Sequence, residues 1–405
     1  MLTEQPVLNI GIVGHIDHGK TTLLYQLTGV WADKHSEELK RGITIKLGYA
    51  DAIINKCVKC NFYTISQECP NCKSKTQQVR YVSFIDAPGH EMLMAIMLGG
   101  AAIIDAAILV IAANEEFPQP QTKEHLLALE AKGVNQVIIV QNKIDLVSKE
   151  EAIKQYYQIK EFIKGTIAKD AKIIPICAQQ GVNIDKVLEA ITKLPIPERN
   201  INAEPLFLVA RSFDVNLPGT EPKELKGGVL GGILKQGKLK VNDIIEIKPG
   251  RSIKQGDKTI YETVKTKIIG LRVGSKELKE ALPSGSLAIQ TSLDPSLTKA
   301  DLLSGCVVSL EGMIPEITYK AKIKFSLFKE IAGTRESIAI EPLKEKEILM
   351  LSVNTTTTVG SIEKINKDTI ELSLKIPIVP FKGTRVGIAR NYKGHWRLIG
   401  YGEII

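Results

Sequence analysis

The stretch that decides the fold spans residues 14–21 and reads Gly-His-Ile-Asp-His-Gly-Lys-Thr. Its glycines let successive backbone N–H groups turn toward one phosphate, Lys20 reaches the β and γ oxygens, and the Thr21 hydroxyl ligates Mg²⁺. An apolar, β-branched run over residues 7–13 precedes the loop and a helical pattern over residues 20–27 follows it, which is the order that the motif needs. The sequence therefore predicts a nucleotide-binding α/β domain, with phosphate contacts from Asp17, His18, Gly19, Lys20, Thr21 and Thr22.

A second motif, Asn-Lys-Ile-Asp at residues 142–145, chooses the base. The Asp145 carboxylate can accept from the ring N–H and the exocyclic amine of guanine, whereas adenine presents an acceptor and a hydrogen there. An unpaired carboxylate costs ~1 to 3 kcal/mol, so this contact alone offers roughly tenfold to over a hundredfold discrimination. GTP and GDP are the predicted ligands, bound by Asn142, Lys143, Ile144 and Asp145. Backbone N–H groups of Cys177, Ala178 and Gln179 are expected to reach guanine O6, with a buried apolar cysteine as the alternative.

The segment Asp-Ala-Pro-Gly-His at residues 86–90 closes a predicted strand and predicts a γ-phosphate sensor. Asp86 is placed to hold Mg²⁺ through a water, and the Gly89 N–H is placed to contact the γ-phosphate, whose loss releases such a loop. His90 is expected to orient the attacking water, although a lone histidine is more often structural. Since no arginine finger within the chain is recognisable, intrinsic hydrolysis is expected to be slow and stimulated by a partner.

A charged segment over residues 34–47 lies where the other nucleotide-sensing loop belongs. Thr44 is its candidate Mg²⁺ ligand, and a solvated helix face is the alternative for residues 34–41. Asp17 puts an extra carboxylate among phosphates, which like-charge repulsion opposes unless a cation intervenes. A second Mg²⁺ shared by Asp17 and the Gly42 carbonyl is therefore expected.

Four of the six cysteines form two pairs, each with two residues between its members, within one short segment. Each pair can present two thiolates at tetrahedral spacing, which favours zinc over iron or free thiols. A closed structural site is expected, because no histidine or carboxylate fills an open position. The predicted ligands are Cys57, Cys60, Cys69 and Cys72. Cys177 and Cys306 stand alone, so the pattern fits a reducing cytoplasm rather than a disulfide framework.

The length of 405 residues suggests two or three domains. The net charge of +8 favours a nucleic-acid or other polyanionic partner, with a merely well-solvated surface as the alternative. Residues 1–10 lack the pattern of a secretion signal. The most apolar stretch, residues 101–113, is short and interrupted by Asp105, so no membrane span is expected.

The order of elements predicts three domains. Apolar runs at residues 79–85, 106–112, 136–140 and 173–176 alternate with helical segments such as residues 121–132, which indicates a mostly parallel sheet covered on both faces. Beyond a linker at residues 195–202 the chain shows short β-rich segments with frequent turns, typical of closed barrels or sandwiches. The predicted bounds are 1–200 for a GTP-binding domain with a cysteine insertion at about 56–75, then 201–315 and 316–405 for two β domains. Residues 227–232, Gly-Gly-Val-Leu-Gly-Gly, are interpreted as open backbone for a close partner or as turns.

Together these motifs resemble those of the translational GTPase family, and nearly the whole chain is similar to the gamma-subunit family of translation initiation factor 2. The resemblance extends to residues 34–49, to Phe-Pro-Gln-Pro-Gln-Thr at 117–122 and to Arg-Ser-Phe-Asp-Val-Asn at 211–216. It implies a GTP domain followed by two β-barrels, a complex with alpha and beta subunits, and delivery of methionylated initiator tRNA to the small ribosomal subunit. It also implies that the tRNA end lodges between the GTP domain and the second domain. The absence of long extensions favours the archaeal form.

One motif departs from the family pattern, because the usual Ser-Ala-Leu reads Cys-Ala-Gln at residues 177–179. Hydrogen bonding through a serine hydroxyl is therefore in doubt. The nearest rival is an elongation-factor-Tu-like carrier of elongator aminoacyl-tRNA, which typically lacks the cysteine insertion; a selenocysteine-specific carrier would need a further C-terminal domain. A rival of another class is a non-hydrolysing GTP-binding scaffold, in which His90 is only structural.

Overall fold

A computed structural model describes residues 4–31, 47–86, 94–217, 219–256, 258–331, 333 and 338–405. By its internal contacts the chain divides into two compact units: residues 1–197 with 329–339, and residues 198–328 with 340–405. The finer bounds predicted at residues 200 and 315 stay predictions. Among the described residues no helix is both long and apolar enough to cross a membrane.

The first unit is built on a seven-stranded sheet. Five neighbouring strands are parallel, and the cysteine insertion follows a strand that pairs antiparallel at one edge. Along the sheet the order is β3-β2-β4-β1-β5-β6-β7. The strands are β1 (Leu8–Gly14), β2 (Gly48–Lys56), β3 (Tyr63–Thr64), β4 (Gln77–Asp86), β5 (Ala106–Ala112), β6 (Val137–Asn142) and β7 (Lys172–Pro175). The predicted parallel-rich sheet is confirmed.

Helices connect these strands and begin and end at recognisable signals. One begins after Ser148, whose hydroxyl accepts from the Glu151 N–H while the Glu151 carboxylate accepts from the Ser148 N–H, a capping box. Another begins with Pro120 and ends before Gly133, which has φ +79°. The helices are α1 (Lys20–Thr28), α2 (Met94–Ala101), α3 (Pro120–Lys132), α4 (Lys149–Ile163) and α5 (Ile184–Lys193).

One face of the sheet and the helices α1 and α5 enclose an apolar core. Every residue of β1 is buried, so the strand that carries the phosphate loop is fixed on both sides. The Arg80 guanidinium donates to the carbonyl oxygens of Ile191 (2.9 Å) and Leu194 (2.6 Å) and so satisfies the end of α5. The base of the phosphate loop therefore rests on a packed and hydrogen-bonded layer.

The second unit contains two closed antiparallel barrels, as the alternation of short strands and turns predicts. In the first barrel the closing pair is β11 with β12. Its ring order is β11-β16-β8-β9-β15-β12, and β13 pairs with β12. The strands are β8 (Leu206–Phe213), β9 (Val229–Gln236), β10 (Leu239–Lys240), β11 (Ile244–Gln255), β12 (Lys258–Val273), β13 (Lys276–Leu278), β14 (Glu280–Ala281), β15 (Ser286–Thr291) and β16 (Val307–Leu310).

The second barrel closes in the order β17-β20-β19-β18-β21-β22 around its own apolar core. Its strands are β17 (Thr318–Leu327), β18 (Ile348–Val353), β19 (Thr356–Asn366), β20 (Thr369–Ile378), β21 (Arg385–Tyr392) and β22 (His395–Ile404). The predicted fold class, an α/β domain with a parallel-rich sheet and a cysteine insertion followed by two β-barrels, is confirmed.

The glycine-rich stretch 227–232 has an internal explanation. A Cβ on Gly227 would lie 1.8 Å from the Thr291 carbonyl oxygen, and one on Gly232 would lie 1.9 Å from that of Leu208. Only Gly231 leaves room for a side chain, with its nearest neighbour at 3.5 Å. The close partner of this backbone is thus the barrel's own backbone, and Val229 onward is strand rather than turn.

Candidate functional site

The phosphate loop joins the end of β1 to the start of α1. Asp17 has φ +59° and Gly19 has φ +89°. A Cβ on Gly14 would lie 2.4 Å from the Val110 carbonyl oxygen, and one on Gly19 would lie 2.3 Å from the Asn142 Nδ2 atom. Both glycines are therefore needed for close approach. The Lys20 ammonium is largely buried and donates to the His15 carbonyl oxygen at 2.7 Å, so it lies across the loop.

Thr21 and Asp86, which are both expected to help bind Mg²⁺, lie side by side. Asp86 ends β4, which pairs with β1 immediately before the phosphate loop. The Thr21 hydroxyl donates to the Asp86 Oδ2 atom at 3.0 Å, and Asp86 is fully buried. Sheet topology thus brings together the side-chain oxygens of two residues that lie 65 residues apart in sequence.

Asn142 connects the phosphate loop to the loop after β7. Its Nδ2 atom donates to the His18 carbonyl oxygen at 2.9 Å, and its Oδ1 atom accepts from the Ala178 N–H at 2.9 Å. Lys143, the next residue, has φ +61°. Three of the predicted nucleotide-binding segments are therefore held together by one buried amide.

Asp145 is exposed at the start of a short 3₁₀ turn, Ile144–Leu146. Cys177 is buried beside it, and burial followed by hydrogen bonding to the Asp145 side chain raises the pKa of the Cys177 thiol. The Cys177 N–H donates to the Val182 carbonyl oxygen at 3.3 Å. Because the N–H groups of Cys177 and Ala178 have these partners, Gln179, which is exposed, stays the simplest candidate for contact with guanine O6.

Of the remaining predicted site residues, the structure describes some and not others. Asp17 is exposed on the loop, and Thr22 is half-buried on α1. Gly42, Thr44, Gly89 and His90 lie outside the described residues, so their predicted roles and the second Mg²⁺ stay predictions.

Two site residues were missed by reasoning from the sequence, and both contact the phosphate loop. His125, buried on α3, accepts at Nδ1 from the Gly14 N–H at 2.9 Å. Burial, and then the nearby Lys20 charge, lowers the pKa of His125 to about 3, so its ring is neutral.

The second missed residue is Glu115, which follows β5. Its Oε2 atom lies 3.2 Å from the Nε2 atom of His18, whose Nδ1 atom lies 3.0 Å from the Val110 carbonyl oxygen. Burial lowers the pKa of His18, and the Val110 carbonyl and Glu115 oppose that effect. Glu115 and His125 flank the stretch 117–122, which was singled out only by its resemblance to a family pattern.

The cysteine cluster lies between β2 and β4 as two similar turns. In the first turn the Cys57 N–H donates to Phe62 and Asn61 has φ +55°; in the second the Cys69 N–H donates to Ser74 and Lys73 has φ +57°. The four sulfur atoms all lie within 4.8 Å of one another, with separations of 3.4 Å (Cys57–Cys72), 3.3 Å (Cys60–Cys69) and 3.6 Å (Cys60–Cys72). Tetrahedral zinc with bonds of about 2.3 Å spaces its sulfurs by about 3.8 Å, so this thiol set fits such an ion.

Known proteins match both ends of the chain. Residues 5–196 match the family described as Elongation factor Tu GTP binding domain, and residues 319–404 match the family described as Initiation factor eIF2 gamma, C terminal. The chain is 54% identical over 407 residues to the translation initiation factor 2 subunit gamma of Methanococcus maripaludis strain S2, covering 100% of this chain and 99% of that one. Identity to the protein of the same name from Pyrococcus horikoshii is 52%, over 99% and 98% of the two chains.

Solved structures share the fold at low sequence identity. A bacterial selenocysteine-specific elongation factor gives a TM-score of 0.75 at 23% identity, over 98% of this chain and 58% of that one. The elongation factor SelB of Methanococcus maripaludis, crystallised with the GTP analogue GPPNHP, gives 0.71 at 22% identity, over 100% and 80%.

Proposed function

Because the chain belongs to the family of archaeal translation initiation factor 2 gamma subunits, translational GTPases of initiation, we propose that it carries methionylated initiator tRNA. In its GTP form it binds this tRNA and delivers it to the small ribosomal subunit in the cytoplasm, and it is released after hydrolysis. Alpha and beta subunits complete the factor. The observation that carries the proposal is the convergence of the phosphate loop, Asp86 and Asn142 in one site, within a chain that matches gamma subunits over its whole length.

The proposed nucleotide site assigns each group a task. The phosphate loop and Lys20 bind the phosphates, and Asp145 accepts from guanine. Thr21 and Thr44 would ligate Mg²⁺, with Asp86 acting through a water and Asp17 with Gly42 holding a second ion. Mg²⁺ supplies charge neutralisation at the β- and γ-phosphates. The Thr21–Asp86 hydrogen bond supports this assignment, since it already holds two oxygen donors together.

Hydrolysis is proposed to depend on His90, which orients the attacking water while Gly89 senses the γ-phosphate. Since no arginine finger is recognisable in the sequence, intrinsic turnover is expected to be slow and a partner to stimulate it. GTP then orders residues 34–47 and 86–90 and completes the tRNA site, and hydrolysis releases both segments.

The cysteine cluster is proposed to hold structural zinc. Its four thiols are close enough for one tetrahedral ion and leave no ligand position for a substrate. The ion would fix the two turns of the insertion, which have mostly exposed side chains around them.

Initiator and elongator aminoacyl-tRNAs, each tested with GTP and with GDP, provide the decisive binding experiment. The proposal expects strong binding only for methionylated initiator tRNA with GTP. Preference for elongators would instead identify an elongation-factor-Tu-like carrier.

His90→Ala separates a GTPase switch from a non-hydrolysing scaffold. The variant should keep GTP-dependent tRNA binding and lose ribosome-stimulated hydrolysis. A wild-type chain without stimulated hydrolysis would favour the scaffold, and equal loss of binding and hydrolysis in the variant would contradict the role of His90.

A further inference from the structure

The Glu115 carboxylate lies close to two of the predicted nucleotide-binding motifs, the phosphate loop and the base motif at residues 142–145. Its Oε2 atom lies 3.2 Å from the His18 Nε2 atom of the phosphate loop, and its Oε1 atom lies 4.0 Å from the Lys143 Nζ atom of the base motif. His18 is 1% exposed, whereas Glu115 and Lys143 are 27% and 28% exposed. A half-buried carboxylate therefore lies between segments that are far apart in sequence.

The backbone of Glu115 is held in place from the opposite side. Gln155, buried on α4, donates through Nε2 to the carbonyl oxygens of Ala112 (2.9 Å) and Glu115 (3.2 Å). The Gln155 Oε1 atom accepts from Gln141 Nε2 at 2.9 Å. This buried amide network anchors the loop after β5, so the Glu115 carboxylate is presented from a fixed backbone.

We propose that Glu115 is a positioning residue that couples the phosphate loop to the base motif, at the nucleotide site assigned under the proposed function. It acts through His18, whose carbonyl oxygen also accepts from Asn142, and through Lys143. His18 lies between Asp17 and Gly19, which both have left-handed backbone, and Lys143 has left-handed backbone itself. Contacts from other segments must hold such backbone in place. Without the carboxylate, both motifs lose preorganisation and bound nucleotide leaves faster.

The neighbouring glutamate supplies a matched control. Glu116 has the same charge and is exposed at the next position of the same loop. The rate of release of a fluorescent GDP derivative from the full chain should rise about tenfold in Glu115→Ala, the size expected for one lost charged hydrogen bond, and stay within about twofold in Glu116→Ala.

A double variant tests whether the effect runs through His18. In a His18→Ala background, Glu115→Ala should accelerate release by less than about threefold, because residues that act through one contact are not additive. A loss of general stability would instead give the same factor in both backgrounds. If Glu115→Ala does not fold, Glu115→Gln against Glu116→Gln asks the same question.

The outcomes separate the two proposals. A wild-type chain that fails to bind GDP contradicts the nucleotide site itself. A wild-type chain that binds GDP, with equal release from the Glu115 and Glu116 variants or full additivity with His18→Ala, overturns only the role given to Glu115.

Discussion

The predicted nucleotide-site residues lie at the ends of several strands, whereas all four cysteines of the cluster lie within residues 57–72. In the nucleotide site the loops hydrogen-bond to one another, as Asn142 does to both His18 and Ala178. In the cysteine cluster the closest side-chain contacts are between the sulfurs themselves. The loops of the nucleotide site are thus held by hydrogen bonds within the protein, whereas the cysteine cluster is proposed to be held by a zinc ion.

The two sites also lie at opposite ends of one strand. The cluster precedes Gln77 at the start of β4, and Asp86 lies at its end. Ten residues of extended chain span about 30 Å, and this distance separates the cluster from Asp86. The two sites should therefore respond independently.

The largest expected effect is at the cluster, in Cys60→Ser. A serine hydroxyl is a poor zinc ligand, so bound zinc should fall from about one ion per chain to near zero, and residues 57–76 should exchange amide hydrogens rapidly. Elemental analysis and hydrogen-exchange mass spectrometry measure the two effects.

Cys177→Ser is the control for zinc content, since this cysteine lies outside the cluster. GDP affinity of Cys60→Ser should stay within about twofold of wild type, because the nucleotide loops have their own contacts. Loss of GDP binding together with loss of zinc would show that the two sites are not independent.

Asp145→Asn is expected to weaken GDP binding about a hundredfold or more, because an amide N–H₂ would face the guanine donors. Xanthosine diphosphate, which carries an oxygen in place of the exocyclic amine, should bind the variant better than it binds wild type. Equilibrium titration of both nucleotides measures this exchange of preference. Asp170→Asn, another exposed aspartate of the same domain, should change neither affinity.

Local motifs could be predicted from the sequence because their chemistry depends on the spacing of residues along a short segment. The phosphate loop, the base motif and the two cysteine pairs each lie within a few residues, and the alternation of strands with helices fixed the class of the first domain. The resemblance to gamma subunits, drawn from these motifs, is confirmed by the full-length relatives.

Long-range contacts were not readable. Glu115 contacts His18, 97 residues away in sequence, and His125 contacts Gly14, 111 residues away. No short motif in the sequence indicates either contact. The first barrel shows a similar limit: short strands were predicted there, yet β11 runs from Ile244 through a bulge to Gln255. Gly250, with φ +87°, packs against the Glu262 backbone there, so pairing with β12 overrides the turn preference of Pro249 and Gly250.

Because His125 accepts from the phosphate loop, its protonation should make the stability of the domain depend on pH. Its folded pKa is about 3 against an ordinary value of 6.5, so its contribution to stability is complete above pH 6.5 and is lost as the pH falls toward 3. Between pH 7 and pH 5 the loss should be about 2 kcal/mol. Hydrogen exchange of β1 amides at both pH values measures it.

His125→Gln removes the titrating ring and should make the stability of β1 nearly the same at pH 7 and pH 5, because glutamine stays neutral at both pH values. His395→Gln, at an exposed position on β22, should leave it unchanged. An unaltered pH slope in His125→Gln would mean that another group governs the opening of β1.

The smallest effect is expected at Cys177→Ser, which restores the usual family residue. We expect backbone groups to dominate recognition here, with the Gln179 N–H as the candidate, because the Cys177 side chain is buried and the Ala178 N–H already donates to Asn142. GDP affinity should therefore change less than about threefold, measured by the same titration. A gain above about tenfold, or roughly 1.4 kcal/mol, would show that a side-chain hydroxyl helps to recognise guanine, and the site would then depend on more than its backbone framework.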